Sequence, residues 1–463
     1  MVQPTHDLPR ASTKLTPLEF RGMVAILLSI ALATLDTAIA NTALPAIAAD
    51  LKASPAASVW IINAYQLAAV ATLLPLAALG GVIGHRKVYL GGLILFVVAS
   101  ALCTFSWSLP TLTIARVFQG LGASAIMSVN AALISSIFSY ERLGRGLGLN
   151  ALVVGTSFAA GPTIASLVLS VANWPWLFAI NLPIGIFALV FAWNSLPKTK
   201  PGTLTFDRIT ALLNVITFGA LIFALSEAAQ LGSMTTVLIA IAVFLVGGAL
   251  MLKREAGHPA PMFPLDLLKR PMFALSALTA FCSFATQGLA FVSLPFFLET
   301  TLGRDPVQTG FLMTPWSVIV AFIAPFAGRL SDRYAPGLLG GIGLAILCAG
   351  MISLALMPAD ANAWEIGARM ILCGMGFGFF QAPNQKALMT SAPKNRASGA
   401  SGTIATARLI GQATGAALVA LSFGISSEHG PVLALSIGAC FAAVGSVASG
   451  LRLVTKNTAN QPS

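Results

Sequence analysis

Apolar runs of about 20 residues or more follow one another along almost the whole chain, broken only by short polar or Pro/Gly-containing segments. Runs of that length cross a bilayer as helices, because a lipid-exposed backbone must satisfy its hydrogen bonds within its own segment. Fourteen can be drawn, from 21–44 to 431–453, with 207–229 the seventh and 363–390 the twelfth. The alternating polarity of a membrane β-barrel strand is absent. Composition agrees: 57% of the residues are hydrophobic and 9% charged, against roughly 25% charged in soluble proteins. A mean hydropathy of +0.86 leaves too little polar surface to coat a soluble globule. Disorder is excluded for the opposite reason, since disordered chains lack apolar residues. Cys103, Cys282, Cys348, Cys373 and Cys440 stand singly in apolar runs, which suggests neither a disulfide framework nor a zinc site. The expected fold class is therefore an all-α membrane protein.

Lys and Arg set the orientation. With the amino terminus in the cytoplasm, 21 of the 26 fall on that side, two (Lys52, Arg304) outside and three (Arg116, Arg369, Arg408) within spans. Such asymmetry predicts that both termini are cytoplasmic. The net charge of +11 then reflects topology and anionic lipid, so nucleic acid is not an expected partner. The first apolar run is long enough to stay as a span, and the polar residues before it lack the order of a cleaved signal.

The chain also repeats itself. Ala115-Arg116-Val117-Phe118-Gln119-Gly120-Leu121-Gly122 returns as Ala368-Arg369-Met370-Ile371-Leu372-Cys373-Gly374-Met375-Gly376, and Pro75–Gly81 returns at Pro325–Asp332. Both offsets are about 250 residues. Two six-helix halves at 21–196 and 271–453 follow, with two additional spans in 197–252 and a cytoplasmic loop at 253–270. Short tails occupy 1–20 and 454–463. Internal repeats with a central site are a common plan for secondary transporters.

Charges inside spans are the candidate functional groups, because an ionisable residue at the bilayer centre costs about 2.5–3.5 kcal/mol on insertion scales. Asp36 lies about 15 residues into its span, roughly 22 Å at 1.5 Å per residue. A carboxylate whose surroundings alternate can take a proton on one side and release it on the other, and can attract a cation. Pairing with a polar neighbour to hold helices together is the competing reading. Arg116 cannot be neutralised and needs an acid or backbone carbonyls as partners. Arg369 is expected to pair locally with Glu365, four residues before it. Arg408 lies deeper and is a candidate substrate contact. The candidate cavity is lined by Asp36, Asn63, Tyr65, Gln66, Gln119, Trp316, Gln381, Asn384 and Arg408, with Asn130, Asn150, Gln287 and Gln412 as further polar span residues. Gly155 and the Gly161-Pro162 pair would allow close helix approach and a bend.

These residues occur in ordered motifs. Leu35-Asp36-Thr37-Ala38-Ile39-Ala40-Asn41-Thr42-Ala43-Leu44-Pro45, Trp60 with Tyr65-Gln66-Leu67, Arg116–Ser124, and Trp174–Gly185 follow one another on successive spans. With Gly148, Gly161 and Pro162 on the fifth span, the chain resembles the major facilitator superfamily, and within it the fourteen-span drug:proton antiporters. The resemblance implies two six-helix halves plus two extra central helices. It also implies proton coupling through Asp36 and Arg116, and an antiporter motif of Gly148, Gly155, Ser157, Gly161 and Pro162. Protons would be the coupling ion, with no other cofactor. The substrates would be hydrophobic or cationic amphipathic drugs, exported across the cytoplasmic membrane by a monomer surrounded by lipid. In the family, a Gly-x-Leu-Ala-Asp-Arg loop latches the halves together. Here the first copy, Ala77–Val82, has Gly81 in place of the acid and keeps Gly84, Arg86 and Lys87. The second copy is complete at Gly328, Arg329, Asp332 and Arg333. Ser157 also stands for a usual glycine.

A membrane enzyme is disfavoured, since the histidines lie in tails or loops and no catalytic set can assemble at one depth. No P-loop sequence is present to bind ATP. A channel is disfavoured by the single deep acid. A proton-coupled importer, or a transporter of one small metabolite, remains the nearest alternative.

Overall fold

The computed structural model describes residues 16–138, 143–198, 206–229, 233–255, 265–392, 397–426 and 428–454. The long helices of the first half are α1 (Pro17–Thr42), α2 (Trp60–Ile83), α3 (His85–Thr104), α4 (Leu109–Ile137), α5 (Leu143–Leu169) and α6 (Asn181–Ser195). Then come α7 (Arg208–Ala229) and α8 (Met234–Glu255). The second half contains α9 (Pro271–Phe296), α10 (Pro306–Leu330), α11 (Pro336–Ala355), α12 (Ala363–Ser391), α13 (Ala397–Ile425) and α14 (Gly430–Leu451).

The helices begin where local chemistry allows it. Thr16 and Glu19 form a reciprocal capping box ahead of Pro17, Ser108 and Thr111 do the same before α4, and Asn362 and Glu365 before α12. Each satisfies amide donors that no earlier turn can accept. Glu365 is thus spent on the Asn362 amide at 3.3 Å, and the expected pair with Arg369 is not formed.

Among the described residues, twelve helices are long and apolar enough to cross a membrane, which corrects the expectation of fourteen. In α7 the described apolar stretch is only Arg208–Ala224. In α12, Glu365, Arg369, Gln381, Asn384 and Lys386 lower the apolarity of a 29-residue helix.

Within each half, small residues set the spacing. A Cβ on Gly122 of α4 would lie 2.6 Å from the Phe96 amide nitrogen of α3, and one on Gly376 of α12 would lie 2.3 Å from that of Leu347 in α11. The repeat seen in the sequence is therefore a repeat of helix packing, with backbone approaching backbone. Its preceding glycine does a second job in both copies. Gly120 seats against the Tyr65 carbonyl at 2.4 Å and Gly374 against that of Trp316 at 2.3 Å, measured from the added Cβ. Gly120→Val and Gly374→Val should each displace the aromatic they seat and cost about 1–3 kcal/mol from overpacking. Thermal unfolding of the two variants checks this, and wild-type melting in either would refute it for that copy.

α7 packs on α8 and also touches α2 and α13, one helix from each half. Arg254 on α8 donates to Asp207, just before α7, at 2.9 and 3.2 Å. Those bonds hold the Asp207 carboxyl well below its usual range, helped by the Thr210 hydroxyl. The pair therefore keeps its stabilisation above the ordinary carboxylate pKa and loses it only in stronger acid. Being part-exposed, it contributes little.

The halves meet unevenly. One face carries the start of α1 and the end of α14; on the far face, one core cluster unites Ile39, Leu44, Ile47 and Val59 with Val292, Phe296, Val419 and Phe423. Elsewhere the halves keep largely separate cores: one cluster holds first-half residues only, another, running the depth of its half, is built from buried second-half residues, and a small one joins Val70 and Leu73 with Phe218 and Leu409. The largest core shared by the halves closes the far face.

Candidate functional site

Asp36 and Arg116 sit inside the first half, 2% and 1% exposed. Arg116 Nη1 donates to Asp36 Oδ2 at 2.5 Å and to Gln119 Oε1 at 2.5 Å, while its Nε donates to the Ile61 carbonyl at 3.2 Å. The other carboxylate oxygen accepts from Gln119 Nε2 at 2.8 Å and from Asn181 Nδ2 at 2.7 Å. Gln119 Nε2 also donates to Ser100 Oγ at 2.9 Å. Helices α1, α4 and α6 thus converge on one carboxylate, with α3 joined through Gln119, and a buried charge is tolerable only with this degree of pairing. The Tyr65 ring lies 4.3 Å from the guanidinium carbon and its hydroxyl donates to the Ala33 carbonyl at 3.2 Å.

On the other side of Tyr65 is a cavity between the halves, enclosing about 730 Å³ of empty space, part of it open to solvent. Its walls are aromatic: Tyr65, Phe158, Phe284, Phe291, Trp316 and Phe377. Gln287, Gln381, Gln412 and Arg408 supply polar groups, and Gln412 donates to Gln287 at 3.0 Å. Phe291 meets Phe158 edge-on across the halves at 5.0 Å and Trp316 at 5.2 Å.

The expected site residues therefore divide into separate groups. Tyr65, Trp316, Gln381 and Arg408 line the cavity, together with Gly155. Asp36 and Gln119 lie behind Tyr65 in the ion-pair network. Asn63 and Gln66 are buried in α2 and do not form the cavity wall. Asn384 is elsewhere: it accepts from Arg452 Nη1 at 2.7 Å and donates to the Ser276 carbonyl at 3.2 Å. Arg452, counted among the cytoplasmic-side charges, is itself buried at the end of α14.

On α5, Gly155 faces open space, whereas a Cβ on Gly161 would lie 2.3 Å from Ala38 Cβ, two residues past Asp36. Pro162 is buried within the helix, Ser157 is half-buried, and Gly148 lies in the same helix. The described bonds of the loop residues fall within their own halves. Gly84 takes the left-handed region at φ 102°, Arg86 donates to the Trp193 carbonyl of its own half, and Lys87 is exposed. Gly328 packs near Ala382. Lys386 bonds Asp332 at 2.6 Å within the second half, while Arg329 and Arg333 are exposed. Asn181 and the facing phenylalanines carried no assigned role in the sequence. Asn181 stood inside a motif already noted, but nothing distinguished cavity phenylalanines from lipid-facing ones.

Two helical halves joined at one face around a central cavity, with a buried charge beside it, define a secondary-transporter architecture. The chain belongs to the Major Facilitator Superfamily, whose sequence profile matches residues 26–416. It is 48% identical over 439 residues to "Uncharacterized transporter YebQ" of Escherichia coli K12, covering 94% of this chain and 96% of that protein. It is 29% identical to "Riboflavin transporter RibZ" of Clostridioides difficile (88% and 89% covered). "Multidrug resistance protein Stp" of Mycobacterium tuberculosis is also 29% identical (86% and 74% covered). A solved bacterial homologue of the lysosomal transporter Spinster, inward-facing and unoccupied, shares the fold at TM-score 0.69 and 14% identity, covering 97% of this chain and 100% of that one. The chain is accordingly a multi-pass membrane transporter and not an enzyme.

Proposed function

We propose that this protein is a proton-coupled exporter of small amphipathic aromatic molecules, working by alternating access in a bacterial cytoplasmic membrane with both termini inside. The observation that carries this reading is the buried Asp36–Arg116 pair, separated from the cavity by one aromatic ring, Tyr65. Asp36 is the proton-carrying group in this reading and Arg116 its buried partner, both held within the first half beside the cavity. The face with the termini is cytoplasmic in this reading, since the basic residues gather there.

A multidrug-resistance relative and a riboflavin-transporter relative suggest the two substrate ranges, drugs or one metabolite. The polar amides of Gln287, Gln381 and Gln412 leave room for the second. For a neutral substrate exchanged against one proton, 100 mV contributes about 2.3 kcal/mol, a gradient of roughly 50-fold.

Purified protein in liposomes with an imposed pH gradient tests coupling, using aromatic dyes of positive, zero and negative charge and an internal pH indicator. Dye and proton movement should be linked in the wild type and unlinked in Asp36→Asn. Dye flux that ignores the pH gradient for every dye would overturn the proposal.

A further inference from the structure

The cavity wall has a one-sided charge. Arg408 is the only charged one among the described residues that line it, with no Asp or Glu. Among the described residues, Arg408 makes no hydrogen bond or ion pair. Asp36, the acid just beyond Tyr65, has both oxygens occupied by Arg116, Gln119 and Asn181. A second donor is idle as well: Trp316 is 1% exposed and its indole N–H has no partner. The hydroxyls of Thr34 and Thr37 are already used on their own helix, donating to Ile30 and Ala33.

We infer that the substrate is an aromatic organic anion, with a carboxylate or like group on Arg408 and the ring packed against the aromatic wall of the cavity. This deepens the exporter reading and rests on the cavity being its substrate site. The Arg408 guanidinium is a fork of donors without an acceptor, so an acceptor-rich anionic group satisfies it and removes the cost of leaving it unpaired. Aromatic faces attract cations too, but a cation here would meet an uncompensated guanidinium within the same low-dielectric space, where like charges repel strongly. The cationic half of the substrate range expected from the sequence is the part this geometry removes.

Three probes with one ring and different charge test the inference: 1-naphthoate, 1-naphthalenemethanol and 1-naphthylmethylammonium, titrated calorimetrically onto purified protein in nanodiscs. Naphthoate should bind about tenfold or more tighter than the other two, the margin of a charge-assisted hydrogen bond. Arg408→Gln should erase that preference, and Arg408→Lys should retain part of it. Equal or tighter binding of the ammonium probe would overturn the inference. So would an undiminished naphthoate preference in Arg408→Gln, or no naphthoate binding to folded wild type. Because no proton gradient is present, the result is independent of coupling. Anion preference without dye–proton linkage would sink only the exporter mechanism.

Discussion

Arg116→Gln should lose about 3–5 kcal/mol of stability, because it leaves the Asp36 carboxylate buried without its cation. Gln119 and Asn181 remain as donors, but two neutral amides cannot replace a guanidinium at 2.5 Å. The informative comparison is the double variant Asp36→Asn with Arg116→Gln. It removes both charges, so it should recover most of the loss and melt above Arg116→Gln alone, with an interaction energy of roughly 0.5–3 kcal/mol or larger. Coupled transport, by contrast, should be lost in both variants. Apparent melting temperatures of the purified variants, set beside liposome flux, separate the two effects. If Arg116→Gln melts with the wild type, the pair is not what holds α1 to α4. If the double variant is as unstable as the single, charge burial is not the cause.

Gly310→Leu should reverse the preferred conformation. A Cβ at Gly310 on α10 would stand 1.8 Å from Ser166 Oγ and 2.4 Å from the Pro162 carbonyl on α5. The Leu side chain extends further, so the far-face contact between the halves cannot re-form. Nearby, Thr163 and Thr314 share a hydroxyl hydrogen bond at 2.7 Å across the same seam. Overpacking of about 1–3 kcal/mol shifts the ratio of the two states by roughly 5- to 150-fold. A cysteine placed at Thr314 reports the result through an impermeant maleimide added at the far face. It should be shielded in the parent and reactive in Gly310→Leu, with transport reduced to background. Continued shielding would mean that the seam flexes around the new side chain and is not the closing contact.

What the sequence made legible follows from what a bilayer penalises. Asp36 and Arg116 stood out because a charge in an apolar run demands an explanation, and the structure joins them. The repeat was readable because Gly122 and Gly376 meet neighbouring backbones that no larger residue fits. Asn181 was harder to assign, since an amide becomes informative only when its acceptor is known. Arg452, counted among the cytoplasmic-side charges, stands at the end of the last run, and its bonds to Asn384 and Ser276 were not readable from the sequence. The cavity phenylalanines were illegible for a general reason, because lipid and substrate favour the same apolar side chains. The span count exceeded the twelve apolar helices because runs were drawn between breaks, without weighing the charges within 363–390.

Each described ion pair lies within one unit: Arg116–Asp36 in the first half, Arg254–Asp207 between α7 and α8, Lys386–Asp332 in the second half. The closed far face is held instead by aliphatic and aromatic side chains such as Ile47, Val292 and Phe423. Parting it wets apolar surface, and that carries a positive heat-capacity change. The ratio of the two facing states should then curve with temperature, the closed face weakening on cooling, while responding little to ionic strength. A transporter built this way is tuned by heat more than by salt.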